Sequence, residues 1–273
     1  MEPAAPEGAA PAAAAPGRPG APAHGGGRKA YEMPDLREKS VDPKGGTQAL
    51  DRRLYLQLQV YTGCSDPRAV ADALRASGLE AALYLDVNDP QGVGVVAMSE
   101  DPGLFPGPLR DLLNAAPFAS LHRRPGLTMI GRTYATGREA NLEFMLLRRP
   151  RETVLNPAWP WVVWYPLRRR PEFAVLEPAE QGKILFEHAQ IGMAWGAADA
   201  AHDVRLACHG LDRDDNEFVI GLVGKDLAPL SQCIQEMRKT VQTSRYIQHL
   251  GPFFVGRVFW QSAGKGGNAQ LEG

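Results

Sequence analysis

The chain contains few cysteines and no long apolar run. Its 273 residues include three cysteines, Cys64, Cys208 and Cys233, at spacings that match no zinc or thiol redox motif. This small, odd number argues against a disulfide scaffold and favours a reducing compartment. The sequence has no apolar run of the roughly 18 residues that a membrane-spanning helix needs, and its N-terminus lacks the charged and apolar segments of a secretory signal. We therefore expect a cytoplasmic protein without a membrane span.

An excess of basic residues is also missing. The 30 lysine and arginine residues are balanced by 31 aspartate and glutamate residues, which gives a formal net charge of −1. Neither half of the chain is obviously basic, whereas a protein that binds nucleic acid needs a basic surface. The composition therefore argues against nucleic acid as the main partner.

Both ends of the sequence lack the apolar and aromatic residues that build a core. Residues 1–46 are dominated by alanine, proline and glycine, a composition that does not bury enough surface to offset the entropy of the chain. We expect a disordered tail over residues 1–46 and a flexible tail over residues 263–273.

Between the tails, the pattern strand, helix, strand, strand, helix, strand occurs twice, over residues 51–146 and 147–262. Strands are predicted at 54–61, 83–86, 92–98, 127–134, 161–167, 204–209, 218–223 and 253–259, and helices at 66–76, 104–114, 178–195 and 227–241. The repeat predicts an α+β fold of two ferredoxin-like units, each with an antiparallel sheet and its helices outside. The uncovered sheet faces either pack on each other or enclose a ligand.

His188 lies on the apolar stripe of a predicted helix. Counting by three and four from His188 reaches Ile184, Leu185, Ile191, Gly192 and Trp195. One interpretation is a core histidine bonded to a backbone carbonyl. The other is a neutral imidazole that points into an apolar cavity as an axial metal ligand, with Gly192 leaving room for a flat macrocycle.

A second candidate is the segment 156–170, which has three tryptophans and three consecutive arginines. Strand alternation places Tyr165 on one face and Trp164 on the other. The tryptophans are either ordinary core or an aromatic wall that brings Tyr165 to a cofactor. Arginines at the mouth of a pocket pair with carboxylates, although an arginine run is more often a solvated edge.

Several ordered motifs resemble the chlorite dismutase and coproheme decarboxylase family. The match is good over residues 147–257 and weaker but compatible over 51–134. The motifs are the helix with Glu187-His188 and Ile191-Gly192, the strand Tyr165-Pro166-Leu167-Arg168-Arg169, the hairpin with Gly210-Leu211-Asp212 and Asp215 to Val219, and the closing segments Met237-Arg238, Ser244-Arg245-Tyr246 and Gly251 to Gly256.

The resemblance implies a dimeric α+β barrel with haem b or coproheme bound in the C-terminal unit only, and assembly into a homo-oligomeric ring, a pentamer or hexamer. It implies that His188 is the axial iron ligand. The implied catalytic residues are Tyr165 and Arg205, and the implied cofactor-binding residues are Arg151, Trp164, Arg169, Gly192 and Leu206.

This sequence departs from the family pattern in three places. The distal arginine of oxygen-generating members aligns best with Leu206, and Arg205 is its neighbour; a register shift of one residue decides which of the two faces the cofactor. The link from residue 197 to 202 is longer than is common. The carboxylate that often partners the axial histidine is expected near Gln242 or Thr243, and neither is acidic, which weakens the histidine as a donor.

Three functions follow from the resemblance. The first is peroxide-dependent oxidative decarboxylation of coproheme to haem b, a step of haem biosynthesis, with Tyr165 oxidised beside the macrocycle and Arg169 and Arg151 anchoring propionates. The second is decomposition of chlorite to chloride and dioxygen, with Arg205 as the distal cation. The third is a haem carrier without catalysis, or a relative that has lost its cofactor.

Overall fold

The two halves of the chain repeat one order of strands and helices. The computed structural model describes residues 32–263, so most of the tails predicted over residues 1–46 and 263–273 lies outside the described residues. The strands are β1 Glu38–Val41, β2 Thr47–Leu50, β3 Tyr55–Thr62, β4 Ala81–Asp86, β5 Val93–Ser99, β6 His122–Arg123, β7 Met129–Arg132, β8 Trp161–Arg169, β9 His202–Ala207, β10 Phe218–Gly224, β11 Ile247–Leu250 and β12 Phe254–Gln261. The helices are α1 Pro67–Ser77, α2 Arg110–Leu113, α3 Arg149–Val154, α4 Pro178–Ala197 and α5 Leu227–Met237.

The repeat is visible in the order of these elements. The N-terminal unit runs β3, α1, β4, β5, α2, β7, and the C-terminal unit runs β8, α4, β9, β10, α5, β12. All strand pairs of the main sheet are antiparallel. The predicted α+β fold of two ferredoxin-like units is confirmed.

The strands of the two units join into one closed barrel. The neighbours run β10, β9, β7, β3, β5, β4, β12, β8, and β8 pairs with β10 to complete the circle. Apolar side chains from both units fill the interior, among them Leu56, Tyr84, Trp164, Leu206 and Phe254. The uncovered faces of the two predicted sheets therefore pack on each other inside the barrel.

The helices form a separate layer on the outside of each unit. In the N-terminal unit, α1 packs on β4, and Leu74 and Leu83 share one buried core. Asp66 begins α1 by accepting bonds from two backbone N–H groups, and Gly78 ends it at a φ of 66°, a left-handed conformation that glycine adopts without strain. In the C-terminal unit, α5 packs on β8 and β10 over a core that includes Tyr165.

Three segments differ from the sequence prediction. The expected tail reached residue 46, but β1 pairs with β2 in a hairpin that Glu38 ties to Arg53 and Arg132. The helix predicted over 104–114 has only Arg110–Leu113 in α-helical form, because three prolines and two glycines precede it. The helix α3 was not predicted. Among residues 32–263, no helix combines the length and the hydropathy needed to cross a membrane.

Candidate functional site

The outer face of β8, β9 and β10 carries the polar groups of the site. In the strand register, Tyr165 lies opposite Ile220, and Ile220 lies opposite Arg205. Asp203 lies opposite Leu222 on the same face, because residues two apart on a strand point the same way. Tyr165 and Leu222 belong to the core under α5. Tyr165, Arg205 and Asp203 therefore face the layer of α4 and α5.

Trp164 and Leu206 lie on the opposite face, inside the barrel. The Trp164 ring covers Gly221, where an added Cβ would come within 2.7 Å of ring atoms, and Leu206 covers Gly131 in the same way at 2.6 Å. The structure therefore does not bring these two predicted cofactor-binding residues to the helix-facing side. The reason is the two-residue period of a strand, which sends neighbours to opposite faces. Of the two alternatives for β9, Arg205 faces the helices and Leu206 the interior.

His188 projects from α4 and bonds to α5's C-terminal turn. Its Nδ1 lies 3.3 Å from Oγ1 of the buried Thr240. The Thr240 hydroxyl donates to the carbonyl of Met237 at 2.8 Å, so a lone pair of Oγ1 can accept a hydrogen bond from an N–H group at His188 Nδ1. This arrangement assigns the tautomer with hydrogen on Nδ1 and leaves the lone pair on Nε2.

Burial is the main influence on the His188 imidazole. It lowers the pKa of His188, and Glu187, Arg205 and Asp203 act on the ring as smaller charge effects. The imidazole is therefore neutral near pH 7. The contributions of Arg205 and Asp203 also indicate that both charged groups of β9 lie within electrostatic range of this ring.

The helix α4 is only loosely covered on the side that carries His188. Of its 20 residues only Ile184 is buried, and Ile191 and Trp195 are half-buried. A Cβ added to Gly192 would meet, among the described residues beyond its own helical turns, only the methyl group of Met237, at 3.7 Å. The backbone of α4 is therefore open to close approach at Gly192.

Tyr165 is held firmly in this layer. Its ring stacks on Phe253 with the centroids 4.7 Å apart. Burial raises the pKa of its hydroxyl above the ordinary value, so the phenol is protonated at all physiological pH values.

The two predicted anchoring arginines have different surroundings. Arg169 donates through its backbone N–H and Nε to Glu217, at 2.8 and 3.0 Å, and its guanidinium lies 4.8 Å from the centroid of the Phe218 ring. It therefore stands at the rim of the helix-facing side. Arg151 instead bonds to Glu80 at 2.9 Å and Glu100 at 3.3 Å in the N-terminal unit, and the structure does not bring it to the site.

Sequence reasoning missed the residues that surround Arg205. Asp203 Oδ2 lies 2.9 Å from Arg205 Nε, and its Oδ1 accepts a bond of 2.6 Å from Arg149. Tyr134 is also within electrostatic range of Arg205 and Asp203. Strand alternation from Arg205 would have found Asp203, whereas Arg149 and Tyr134 come from elements distant in sequence and left no local signal.

The comparison with protein families identifies the C-terminal half. Residues 128–259 match the family model described as chlorite dismutase. This segment contains β8, α4, β9, β10 and α5, and with them His188. The resemblance stated from the sequence is confirmed at the level of the family: this segment is similar to the chlorite dismutase family, which includes haem-dependent enzymes.

Solved structures extend the similarity to the fold of both units. A haem-binding protein from Thermus thermophilus is 18% identical, with a TM-score of 0.60 over 76% of this chain and 91% of that chain. A variant chlorite dismutase from Candidatus Nitrospira defluvii, in complex with cyanide, is 14% identical, with a TM-score of 0.57 over 75% of this chain and 90% of that chain. No curated protein sequence matches significantly. At such identities these structures establish the fold alone.

Proposed function

We propose that the chain binds an iron tetrapyrrole, haem b or coproheme, between α4 and the outer face of β8 and β10, with Nε2 of His188 as the axial ligand. The orientation of His188 by Thr240 supports this assignment. The described residues contain no cluster of three or more His, Cys, Asp or Glu side chains that could hold a metal ion. An iron atom bound by His188 would therefore take its other ligands from a macrocycle, and Gly192 presents no side chain to it.

We further propose that the reaction is oxidative decarboxylation of coproheme. The observation that carries this proposal is that Tyr165 lies on the strand face turned toward the helix layer of His188. In each step one propionic acid side chain and one hydrogen peroxide become a vinyl group, carbon dioxide and two waters. When bound, the iron tetrapyrrole supplies the oxidation by peroxide.

The residues of the chain have distinct roles in this proposal. Tyr165 holds its phenolic proton in the resting state and releases it together with one electron, while Phe253 fixes the ring. Arg169, at the rim, pairs with a propionate. Arg238 also acts on Tyr165 electrostatically, which makes it a candidate for the anchoring role expected of Arg151.

A pair of tyrosine variants tests the reaction. Tyr165→Phe removes one oxygen from the helix-facing side, and Tyr84→Phe removes one from the barrel interior, where the Tyr84 hydroxyl is buried without a hydrogen-bond partner. Each protein is loaded with coproheme, treated with peroxide and assayed for haem b by chromatography. We expect Tyr165→Phe to slow conversion by about 100-fold or more and Tyr84→Phe to match the parent. Parental turnover by Tyr165→Phe would contradict the proposal.

Chlorite decomposition is the second candidate. A guanidinium on the helix-facing side of β9 can bind an oxyanion, although Asp203 pairs with this guanidinium at 2.9 Å. An oxygen electrode separates the two functions, because only chlorite decomposition releases dioxygen. Steady oxygen evolution from the haem-loaded parent would favour chlorite as substrate, and bleaching without oxygen would exclude it.

A further inference from the structure

The charged groups next to Arg205 form a compact, balanced set. Asp203 uses both oxygens, one toward Arg205 at 2.9 Å and the other toward Arg149 at 2.6 Å. Glu139 also acts on Arg205 as a second negative charge. The two arginines and the two carboxylates add to zero net charge at neutral pH.

The Asp203 carboxylate is ionised in this setting. Burial by itself raises the pKa of Asp203, but Arg205 and Arg149 outweigh that effect and hold the pKa below its usual value. Glu139 is ionised as well, since it accepts bonds from the backbone N–H groups of Thr136, Gly137 and Arg138, which with the Thr136 hydroxyl hold its pKa low against burial. Both negative charges are therefore permanent at neutral pH.

A second arginine on this side of the sheet is compensated in the same way. Arg169 shares its charge with Glu217 at 3.0 Å. The charge of Arg205 is therefore neutralised for a ligand in front of the sheet, even though 40% of its side chain is exposed. A free arginine at this position would attract anions, whereas an arginine paired with Asp203 attracts them weakly.

We propose that Asp203 is a specificity-determining residue that neutralises Arg205 and makes the pocket select a neutral oxidant, a hydroperoxide, over an oxyanion such as chlorite. This inference rests on the proposed binding of an iron tetrapyrrole between α4 and the sheet. It adds to that proposal the chemical class of the second substrate. The assignment depends on the ion pair of Asp203 with Arg205 and on the position of both residues on the face of β9 that is turned toward the helices.

Equilibrium binding of small ligands to the haem-loaded ferric protein tests the inference without turnover. Fluoride is the anionic probe, imidazole is the neutral probe, and each dissociation constant is read from the absorbance change. For Asp203→Asn we expect fluoride to bind at least about tenfold more tightly than it binds to the parent, because one negative charge next to the ligand is removed. Imidazole should bind within about twofold of the parent, which also reports that the pocket is intact.

Two further variants complete the design. Asp203→Glu keeps the charge and should keep the parental affinity for fluoride. Arg205→Gln in the Asp203→Asn background should cancel the gain, because the gain requires the released guanidinium. An Asp203→Asn protein that binds imidazole normally but fluoride no more than about twofold better would overturn the inference.

The opposite side of the ion pair gives an independent readout. Arg205→Gln in the otherwise unchanged protein leaves the negative charge of Asp203 without its partner and should weaken fluoride binding by about tenfold, whether or not Asp203→Asn folds. A fluoride affinity within about twofold of the parent would mean that the ion pair does not act on the bound ligand, and this would overturn the inference. A parent protein that takes up neither haem nor coproheme gives no ferric spectrum at all, and that separate outcome would overturn the proposed function together with this inference.

Discussion

The two units share one topology but differ in the side chains that their sheets present to the outer helices. In the N-terminal unit, β4 presents Ala81 and Leu83 to a core that is apolar throughout. The corresponding strand of the C-terminal unit, β9, presents Asp203 and Arg205 toward its helices. A duplicated fold thus uses one copy for packing and keeps polar groups in the other, which places the chemistry of the molecule in the C-terminal unit.

The first helices of the two units also differ, in how many of their side chains are buried. In α1, Val70, Ala71 and Leu74 are buried. In α4, which is nearly twice as long, only Ile184 is buried. Apolar side chains that a helix leaves half-covered stabilise the fold little by themselves and are suited to contact a ligand.

The largest expected effect concerns the axial ligand. His188→Ala should leave the fold intact, because Ile184 stays buried and alanine favours helix. Affinity for haem should fall by more than about 100-fold, because losing only the hydrogen-bond partner of a metal-binding histidine already lowers metal affinity by up to about 100-fold. The measurement is a haem titration followed by the Soret band, with added imidazole restoring the parental band position.

His249→Ala is the matched control, because His249 is exposed on β11. It should bind haem like the parent. A His188→Ala spectrum identical to the parent, without response to imidazole, would remove His188 from the site.

The same substitution in the two helices compares their packing directly. Leu74→Ala in α1 should lower the free energy of unfolding by about 2–5 kcal/mol, because Leu74 is fully buried. Leu185→Ala in α4 should lower it by less than about 1 kcal/mol, because the side chain is 40% exposed. Urea unfolding measures both, and equal losses would contradict the contrast between the units.

An intermediate effect is expected for the partner of His188. Thr240→Val keeps the shape of the side chain but removes the acceptor for Nδ1, and haem affinity should fall by about tenfold. The iron–histidine stretching frequency, measured by resonance Raman, should also fall because the imidazole is a weaker donor. Ser244→Ala removes a hydroxyl that donates to the Thr240 carbonyl and not to Oγ1, and it should leave that frequency unchanged; an equal shift in both variants would point to a general loosening of the turn.

The smallest effect concerns the link between α4 and β9. Asp199, at a φ of 52°, accepts bonds from His202 and Trp159 and pairs with Lys225. Lys225 first, then His202, lowers the pKa of Asp199 to about 2. A depressed carboxyl pKa stabilises the fold above the unfolded-state value and loses this effect as pH falls through the folded value.

Asp199→Asn should therefore lower the thermal midpoint slightly at pH 7, and the difference from the parent should shrink between pH 4 and pH 2. The N-terminal unit makes the corresponding connection with Gly78, so Gly78→Ala is the comparison variant, and its effect should not depend on pH in this range. A constant difference for Asp199→Asn would contradict the ion-pair explanation.

Most of the fold was predictable from the sequence, because periodicity and turn residues mark strands and helices locally. The helix from Pro178 and the strand from Trp161 begin as predicted. The failures have local causes too: the helix predicted from 104 is shortened by its prolines, and the hairpin of β1 and β2 depends on Glu38 reaching Arg132 across the chain.

The site was less predictable, because it depends on register and on distant elements. Counting along the helix placed His188 on the half-buried side, but a shift of one residue separates Arg205 from Leu206, and only strand pairing resolves it. Arg149 and Arg151 lie two residues apart on one short helix, yet the first reaches Asp203 and the second reaches Glu80. No pattern within the helix distinguishes them.

Because the barrel is closed, each unit depends on the other to pair its edge strands. β12 completes its pairing on β4, and β9 meets β7 through Ala207 and Arg132. A chain divided in the loop before β8 would leave two unpaired strand edges on each fragment and an apolar lining open to water. Each fragment is expected to aggregate alone and to rejoin its counterpart when the two are expressed together. The half that carries His188 thus has its strand edges covered by a half whose outer layer is an apolar core.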